Sequence, residues 1–232
     1  MSSTSPPPSS NVQRAVRHWQ QRRALWDRST SAAESSTTTI AISRDCGAGG
    51  TTTAGAVANE LDWPLYDKEL VDKIAHDAGI QEQLLEDLDE KCPNWLAESL
   101  EGFAFSKHVS GAGLAIRIKK TLMALYCHGE CVVLGRGAPQ ILPHKRTLSV
   151  RLVASEKYRI KRMAEEFDIS ENEAKTRVRE TDRGRIAFVQ SYFHKDPGDP
   201  LAYDLTLNTS RLDEKTCVGL ILTALSRKQQ QM

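Results

Sequence analysis

An apolar segment, Thr39–Ser43, runs straight into a glycine-rich turn, and the turn opens an amphipathic helix. The turn carries glycines at positions 47, 49 and 50, which let backbone N–H groups approach and surround an anion. The positive end of the following helix adds to the attraction. A strand, a glycine-rich turn and a helix in this order are the parts of a nucleotide-binding phosphate loop. We therefore expect the chain to bind phosphate at the carboxyl end of its first strand.

The loop departs from the usual phosphate-loop pattern, G-x-x-x-x-G-K-S/T, at both of its ends. Gly50 stands where that pattern has lysine, and Arg44 stands at its first glycine. The positive charge of the site must therefore come from elsewhere. Arg44 abuts the loop, and Arg136 follows a strand that should lie beside it, so we predict that one of these two arginines takes over the electrostatic role.

Composition places the chain among ordinary globular proteins and excludes several other classes. Its 232 residues, 40% hydrophobic and 26% charged, suffice for one substantial core. A net charge of +1 provides no general attraction to nucleic acid or to an anionic membrane. No apolar run approaches the roughly 20 residues of a transmembrane helix, and the N-terminus lacks the features of a signal peptide. Five scattered cysteines favour reduced thiols, and together these features predict a cytoplasmic protein without nucleic-acid or membrane partners.

Residues 1–37 are predicted to be an N-terminal extension, followed by a single domain over residues 38–228. The extension begins with a Ser/Pro-rich segment that we expect to be disordered, and residues 12–26 have the apolar spacing of a helix. Arginines on the other face of this helix are compatible with binding to RNA or a membrane surface, but packing against the domain or a partner subunit is favoured. We expect the extension to be dispensable for the fold and for the chemistry.

Within the domain, short apolar strands alternate with amphipathic helices, which predicts a parallel sheet covered by helices. A charged helical stretch follows the fourth strand, with a capping box predicted at Ser170 and Glu173. Ligands of such sheets bind at the carboxyl ends of the strands. Three motifs fall there, namely the 44–52 loop, Gly135-Arg136-Gly137 and Tyr66-Asp67. The predicted strands cover residues 39–43, 63–67, 131–135, 148–154 and 203–208.

Five sequence motifs occur in the order found in one known family. They are Ile42–Gly50, Pro64–Leu70, Val132–Ala138, Leu152–Ser155 with the arginines after it, and Tyr203–Ser210. Together they resemble the cytidylate kinase-like family, a branch of the P-loop nucleoside monophosphate kinases, over residues 38–225. In this branch the loop commonly reads G-S-G-G-R, so Gly50 is similar to the family, whereas Thr51 replaces its arginine.

The resemblance implies a P-loop kinase fold, an α/β domain with a parallel sheet of about five strands covered by helices and an arginine-rich lid. It implies transfer of a phosphoryl group from ATP, with Mg²⁺, to CMP, dCMP or a similar nucleotide. In that interpretation Thr51 reaches the metal, and Asp67 and Arg136 contact the acceptor. The donor phosphates are held by Gly47, Ala48, Gly49, Gly50, Thr51 and Thr52. The expected catalytic residues are Arg44, Arg136, Arg159, Arg162, Asp182 and Arg183, and the lid segment also contains Arg179 and Arg185.

For several of these residues, a structural role without a part in catalysis is also compatible with the sequence. Asp67 is almost equally suited to cap the helix that follows it, and most arginines between residues 156 and 185 alternate with glutamates as on a solvated helix face. Cys127, His128 and Cys131 lack a fourth ligand, so a zinc site is rejected. A homo-oligomer is compatible with the sequence. The competing functions are a P-loop protein that binds nucleotide without efficient transfer, as a regulator or scaffold, and a kinase for another small molecule.

Overall fold

The computed structural model describes residues 17–21, 37–85 and 112–232. At its centre is a five-stranded sheet in which all neighbouring strands are parallel, in the order β2-β3-β1-β4-β5. This sheet confirms the predicted α/β class and the predicted number of strands. The strands are β1 (Thr39–Arg44), β2 (Leu65–Tyr66), β3 (Cys131–Leu134), β4 (Thr147–Val153) and β5 (Leu205–Asn208).

Helices cover both faces of this sheet. Beyond a helical turn at residues 17–21, they are α1 (Gly50–Glu60), α2 (Lys68–His76), α3 (Ala78–Leu85), α4 (Ala112–His128), α5 (Ala138–Ile141), α6 (Glu156–Phe167), α7 (Glu171–Phe193) and α8 (Glu214–Gln229). Successive residues of β1 point to opposite sides of the sheet. Ile40 and Ile42 join a buried cluster with residues of α1 and α8, whereas Ala41 joins a second cluster with residues of α2 and α4. Burial on both faces explains why the central strands read as continuous apolar runs.

Helices α6 and α7 form a hairpin that contacts the loop between β1 and α1. Ser170 is the N-cap of α7: its hydroxyl accepts from the N–H of Glu173, and the Glu173 carboxylate accepts from the N–H of Ser170. This is the predicted capping box. A small apolar cluster joins the hairpin to the loop, and it contains Cys46, Met163, Ala174 and Val178. The hairpin occupies the part of the chain in which the lid was expected.

The short helical segment at residues 17–21 contributes to the core. Trp19 is 5% exposed, and its ring stacks on Tyr66 with 6.4 Å between the ring centroids. The Trp19 Nε1–H donates to the Tyr66 hydroxyl over 2.7 Å, so this segment is tied to β2. The rest of residues 1–36 lies outside the described residues. The boundary between extension and domain therefore stays a prediction, as does the expectation that the extension is dispensable.

The described cysteines are in two states. Cys46, Cys131 and Cys217 are buried and are not disulfide-bonded, whereas Cys127 is disulfide-bonded. The expectation that all thiols are reduced is therefore wrong for Cys127, because the number and scatter of cysteines in a sequence do not show which of them meet in the fold. Within the described ranges, no group of three or more His, Cys, Asp or Glu side chains could hold a metal ion. In the same ranges, no helix is long and apolar enough to cross a membrane.

Candidate functional site

The loop between β1 and α1, residues 45–49, is called the glycine loop below. Two of its residues adopt a conformation that only glycine reaches readily: Gly47 has φ +79° and Gly49, which precedes α1, has φ +73°. A Cβ atom on Gly47 would also lie 2.7 Å from the backbone oxygen of Arg159 in α6. Gly47 is thus required both by its own backbone conformation and by the close approach of the hairpin.

Hydroxyl groups anchor the helix end of the glycine loop. Thr209, which follows β5, donates to the backbone oxygen of Ala48 over 3.0 Å. Thr52 in α1 donates to the backbone oxygen of Gly49 over 2.9 Å. Thr51 is exposed in the first turn of α1, and its hydroxyl makes no hydrogen bond within the described part of the chain. Compared with the Thr52 hydroxyl, that of Thr51 is therefore available to a ligand.

A carboxylate from α7 occupies one backbone amide of the glycine loop. The N–H of Cys46 donates to Asp182 Oδ1 over 2.7 Å, and Arg159 Nη1 contacts Asp182 Oδ2 over 2.5 Å. Arg159 also donates to the Cys46 oxygen over 3.0 Å. Arg185 donates to the backbone oxygen of Arg44 over 3.1 Å, at the strand end of the loop. Loop amides of this kind bind anions, so Asp182 marks a position at which an anionic group is stabilised.

Arg44, the last residue of β1, is a half-buried cation beside the glycine loop. Its side chain passes over Gly50, where an added Cβ would overlap Arg44 Cγ, and reaches Gly135, where an added Cβ would overlap Arg44 Nη1. Burial, followed by the nearby charge of Arg185, lowers the pKa of Arg44 to about 10, and the attraction of Asp67 only partly opposes this. Within the described residues, the Arg44 guanidinium forms no ion pair or hydrogen bond. Its charge is available to an anionic ligand.

Two cavities meet the glycine loop, one at its strand end and one at its helix end. The larger, of 580 Å³, lies where β1 and β3 end, and the smaller, of 240 Å³, lies against residues 209–214 after β5. Helix α6 faces both, since Arg159 lines the larger cavity and Tyr158 and Arg162 line the smaller. The larger cavity has a surplus of positive charge. It is lined by six cations, Arg44, Lys68, Arg136, Arg151, Arg159 and Arg185, and by three carboxylates, Asp45, Glu180 and Asp182.

Besides Arg159, two further cations of this cavity are held in place by neighbouring side chains. Arg136 has a positive φ of 52° between two glycines and forms an ion pair with Asp72. Arg151 in β4 contacts Asp45 over 3.2 Å and donates to the Tyr203 hydroxyl over 3.2 Å. Burial raises the pKa of Asp45, although Arg151 opposes the shift. Because these contacts restrict the rotamers of long side chains, both guanidinium groups are ordered before a ligand binds.

The structure brings many of the predicted site residues to the two cavities, but not all of them. Arg44, Arg136, Arg159 and Asp182 line the larger cavity, and Ala48, Thr52 and Arg162 line the smaller. Arg183 is exposed on α7 and lines neither cavity. Arg179 pairs with Glu156 over 2.7 Å on an exposed face of the hairpin, as on a solvated helix face. Arg151 lines the larger cavity although no motif singles it out; a charge inside an apolar strand is the signal that could have found it.

Fold and loop together define the class of this protein. A strand that runs through a glycine loop into a helix, at the centre of a parallel sheet and under a helical hairpin, is a P-loop kinase arrangement. The sequence profile of the cytidylate kinase-like family matches residues 39–211, and the chain belongs to that family. The resemblance seen in the sequence motifs is thereby confirmed.

Several solved structures are similar to this chain. An uncharacterized protein from Eubacterium ventriosum ATCC 27560 is 26% identical with a TM-score of 0.67, covering 82% of this chain and 99% of that chain. A shikimate kinase from Bacteroides thetaiotaomicron is 15% identical with a TM-score of 0.45, covering 82% of this chain and 99% of that chain. A gluconokinase from Sinorhizobium meliloti 1021 is 16% identical with a TM-score of 0.39, covering 84% of this chain and 95% of that chain. The last two similarities are too low to indicate a substrate, and no curated protein matches the sequence significantly.

Asp67 caps the helix that follows it. It is the N-cap of α2, and its Oδ1 accepts from the N–H of Leu70 over 2.9 Å. Asp67 lines neither cavity, whereas its neighbour Lys68 lines the larger one. These positions favour the capping alternative over contact with an acceptor.

Replacement of Asp67 separates these two roles. Asp67→Ala should lower the free energy of unfolding by about 1 kcal/mol, because it removes the cap. Asp67→Asn should retain both stability and phosphoryl transfer, since asparagine caps helices about as well as aspartate. Urea unfolding and a transfer assay measure the two outcomes. A stable Asp67→Asn variant without turnover would instead place Asp67 at the acceptor.

Proposed function

We propose that this protein transfers the terminal phosphoryl group of ATP, with Mg²⁺, to a nucleoside monophosphate, and that CMP or dCMP is the preferred acceptor. The observation that carries the proposal is the glycine loop with a cavity at each end and α6 lining both cavities. Such a site suits a triphosphate on the loop and an acceptor in the neighbouring cavity. Phosphoryl transfer depends on this positioning and on neutralisation of charge more than on covalent chemistry.

The donor is assigned to the helix end of the glycine loop. The smaller cavity, lined by Tyr158, Arg162 and residues 209–214, suits the base and sugar of ATP. The backbone N–H groups of Gly47 and of residues 49–52, at the N-terminus of α1, are next to it and would bind the phosphates, whereas the Ala48 N–H donates to the Asp45 oxygen over 3.2 Å. Arg162 donates to the Thr52 hydroxyl over 3.3 Å, so its charge lies at the same helix end.

The acceptor is assigned to the larger cavity. Its volume of 580 Å³ falls within the usual range of small-molecule sites, about 300–1,000 Å³. Its surplus of cations suits a ligand that carries a phosphate. Arg136, fixed at the end of β3, is proposed to bind the phosphate of the acceptor. Arg159 donates to the backbone oxygen of residue 46 and Arg185 to that of residue 44, and both are proposed to stabilise the phosphoryl group in transit.

Asp182 is proposed to position these groups rather than to take part in transfer. Its carboxylate accepts from the Cys46 amide and pairs with Arg159, which orders the guanidinium against the loop. A donor phosphate that extended from residues 47–52 to the Cys46 amide would compete with this carboxylate. Only binding of that kind would require α7 to shift relative to the glycine loop.

Mg²⁺ would be held in this arrangement mainly by the phosphates of the nucleotide, and not by a cluster of protein side chains. Across the described ranges no three acidic, His or Cys side chains form a metal cluster. Magnesium usually keeps several waters and binds substrate phosphates together with one or two protein oxygens. The Thr51 hydroxyl, exposed in the first turn of α1, is the proposed protein ligand. Bound Mg²⁺ would neutralise part of the charge on the phosphates.

A protein that binds nucleotide without efficient transfer is the second candidate. Two observations favour it: position 50 lacks the usual lysine, and Asp182 occupies the Cys46 amide. A kinase for another small molecule is the third candidate, because the larger cavity suits other phosphorylated acceptors. A cytoplasmic location, partners limited to small-molecule nucleotides and a homo-oligomeric state stay predictions.

An ADP-release assay with MgATP and a panel of acceptors tests the proposal. CMP and dCMP should give the highest kcat/KM, and UMP, AMP and several sugar phosphates should give lower values. Turnover confined to a non-nucleotide acceptor would replace the proposal with the third candidate. Thermal stabilisation by MgATP without turnover of any acceptor would establish the second.

A further inference from the structure

Arg44 and Gly50 are complementary in shape. A Cβ on Gly50 would overlap Arg44 Cγ and lie 2.7 Å from Arg44 Cβ. Gly50 lies in α1 and, unlike Gly47 and Gly49, does not have a positive φ, so its backbone does not require glycine. Where alanine can adopt the native backbone conformation, it normally makes a protein more stable than glycine does. The lack of a side chain at position 50 is therefore explained by the arginine that passes over it.

The Arg44 side chain brings its charge to the strand end of the glycine loop. Its Nη1 lies against Gly135, after β3, where an added Cβ would overlap it. Arg44 lines the larger cavity and does not line the smaller. A lysine at position 50 would start from the helix beside the donor cavity. Arg44 starts from β1 instead, so its charge faces the cavity assigned to the acceptor.

The surroundings of Arg44 are unfavourable to a cation in the free protein. The guanidinium loses water by burial, and the charges of Arg185 and Arg136 lie nearby. Asp67 attracts it but forms no ion pair with it in the described part of the chain. A cation kept in such a place without a partner is stabilised when an anion binds next to it.

We infer that Arg44 replaces the lysine that P-loop kinases usually carry at the start of the helix after the loop. The cation then lies on the last residue of β1, and Gly50 leaves room for its side chain. From this position the guanidinium faces both the phosphoryl group in transit and the acceptor. The acceptor must then carry an anionic group of its own. This chemical role rests on the proposed function, whereas the steric pairing of the two residues does not.

A cycle of thermal stabilities tests the pairing. Gly50→Ala should lower Tm in the otherwise unchanged protein, although glycine to alanine at a position without positive φ normally raises it. In an Arg44→Gly background the same replacement should raise Tm, because the obstructing side chain is gone. Gly55→Ala is the matched control in the same helix: its Cβ would meet nothing within 4 Å, so it should raise Tm in both backgrounds. A rise in Tm for Gly50→Ala in both backgrounds would overturn the pairing.

Arg44→Ala provides a second background if Arg44→Gly fails to fold. It removes the Cγ that Gly50→Ala would overlap but keeps Cβ. The decrease in Tm caused by Gly50→Ala should then become smaller without changing sign. An unchanged decrease would also contradict the pairing.

Arg44→Met tests the charge, because methionine keeps the aliphatic stem and loses the guanidinium. Its Tm without ligand should equal or exceed that of the parent protein, and the rise in Tm caused by Mg²⁺-pyrophosphate should disappear. Arg151→Met is the matched control: Arg151 is paired with Asp45 and bonded to Tyr203, so its loss should lower the ligand-free Tm. If Arg44→Met lowers Tm without ligand, and Mg²⁺-pyrophosphate still raises Tm as in the parent protein, then Arg44 has only a structural role.

Rebuilding the usual loop tests the replacement itself. Arg44→Gly should reduce kcat by about 10²–10³-fold, and Gly50→Lys alone should also reduce it because lysine cannot fit beside Arg44. The double variant should recover at least about tenfold over Arg44→Gly. If the parent protein catalyses transfer and the kcat of the double variant does not exceed that of Arg44→Gly, the inference that Arg44 replaces the loop lysine is wrong. If the parent protein neither turns over nor responds to MgATP, the proposed function fails, and the stability cycle still decides the pairing.

Discussion

Gly47→Ala should reduce phosphoryl transfer by about 10²-fold or more and lower the free energy of unfolding by about 1–3 kcal/mol. Gly47 has φ +79°, and an added Cβ would lie 2.7 Å from the backbone oxygen of Arg159. A backbone oxygen in a helix cannot move aside without the helix. The α6–α7 hairpin should therefore separate from the glycine loop and carry Arg159 and Asp182 away from Cys46.

Turnover and urea unfolding measure the two effects of Gly47→Ala. Gly219→Ala in α8 is the control, since its Cβ would meet nothing within 4 Å and should leave turnover unchanged. Gly49→Val should abolish stabilisation by MgATP and should also lower the free energy of unfolding, because Gly49 has φ +73° and an added Cβ would meet the guanidinium of Arg162 at 2.5 Å. Normal turnover in Gly47→Ala would mean that the hairpin need not contact the loop during transfer.

Trp19→Ala should lower the free energy of unfolding by about 3–5 kcal/mol, the usual cost of removing a buried tryptophan side chain. Trp19 is 5% exposed, stacks on Tyr66 and donates to its hydroxyl. Truncation leaves a cavity in the core and an unsatisfied hydroxyl on a fully buried tyrosine. We therefore expect that a chain starting near Ser36 is less stable than the full chain, contrary to the expectation from sequence.

Two variants isolate the contribution of Trp19, with chemical unfolding as the measurement. Gln20→Ala, at an exposed neighbouring position, should change the free energy of unfolding by less than about 0.5 kcal/mol. Trp19→Phe keeps a ring against Tyr66 and loses the hydrogen bond, so its cost should lie between the other two. If Trp19→Ala unfolds at the same urea concentration as the parent, Trp19 does not stabilise the domain, and the expectation of a dispensable extension stands.

The strands and the glycine loop could be predicted from the sequence because each depends on neighbouring residues. β1 and β3 are largely apolar runs of the kind found in parallel sheets buried on both faces, and β4 alternates apolar with polar residues. The positive φ of Gly47 and Gly49 follows from a tight connection between a strand and a helix. The capping box at Ser170 and Glu173 is equally local, since both partners lie within one helical turn.

The remaining parts of the site depend on residues that are distant in sequence. Cys46 and Asp182 are 136 positions apart, and no pattern in either segment indicates that they meet. Alternating arginine and glutamate in α7 do not show which helix face meets the loop: Arg185 lines the larger cavity, whereas Arg183 is exposed. That choice is made by the apolar contacts of the hairpin, to which Val178 contributes. The proposed pairing of Arg44 with Gly50 differs, because both residues lie within a single loop pattern only six positions apart in the sequence.

Helix α6 presents adjacent residues to different cavities, Tyr158 to the smaller and Arg159 to the larger. A rigid helix cannot adjust to one occupant without changing the surface that it offers to the other. The two substrates should therefore alter each other's affinity, by the same factor in both directions, as thermodynamic linkage requires. The selectivity of such a site for one acceptor over another should therefore depend on which donor is already bound.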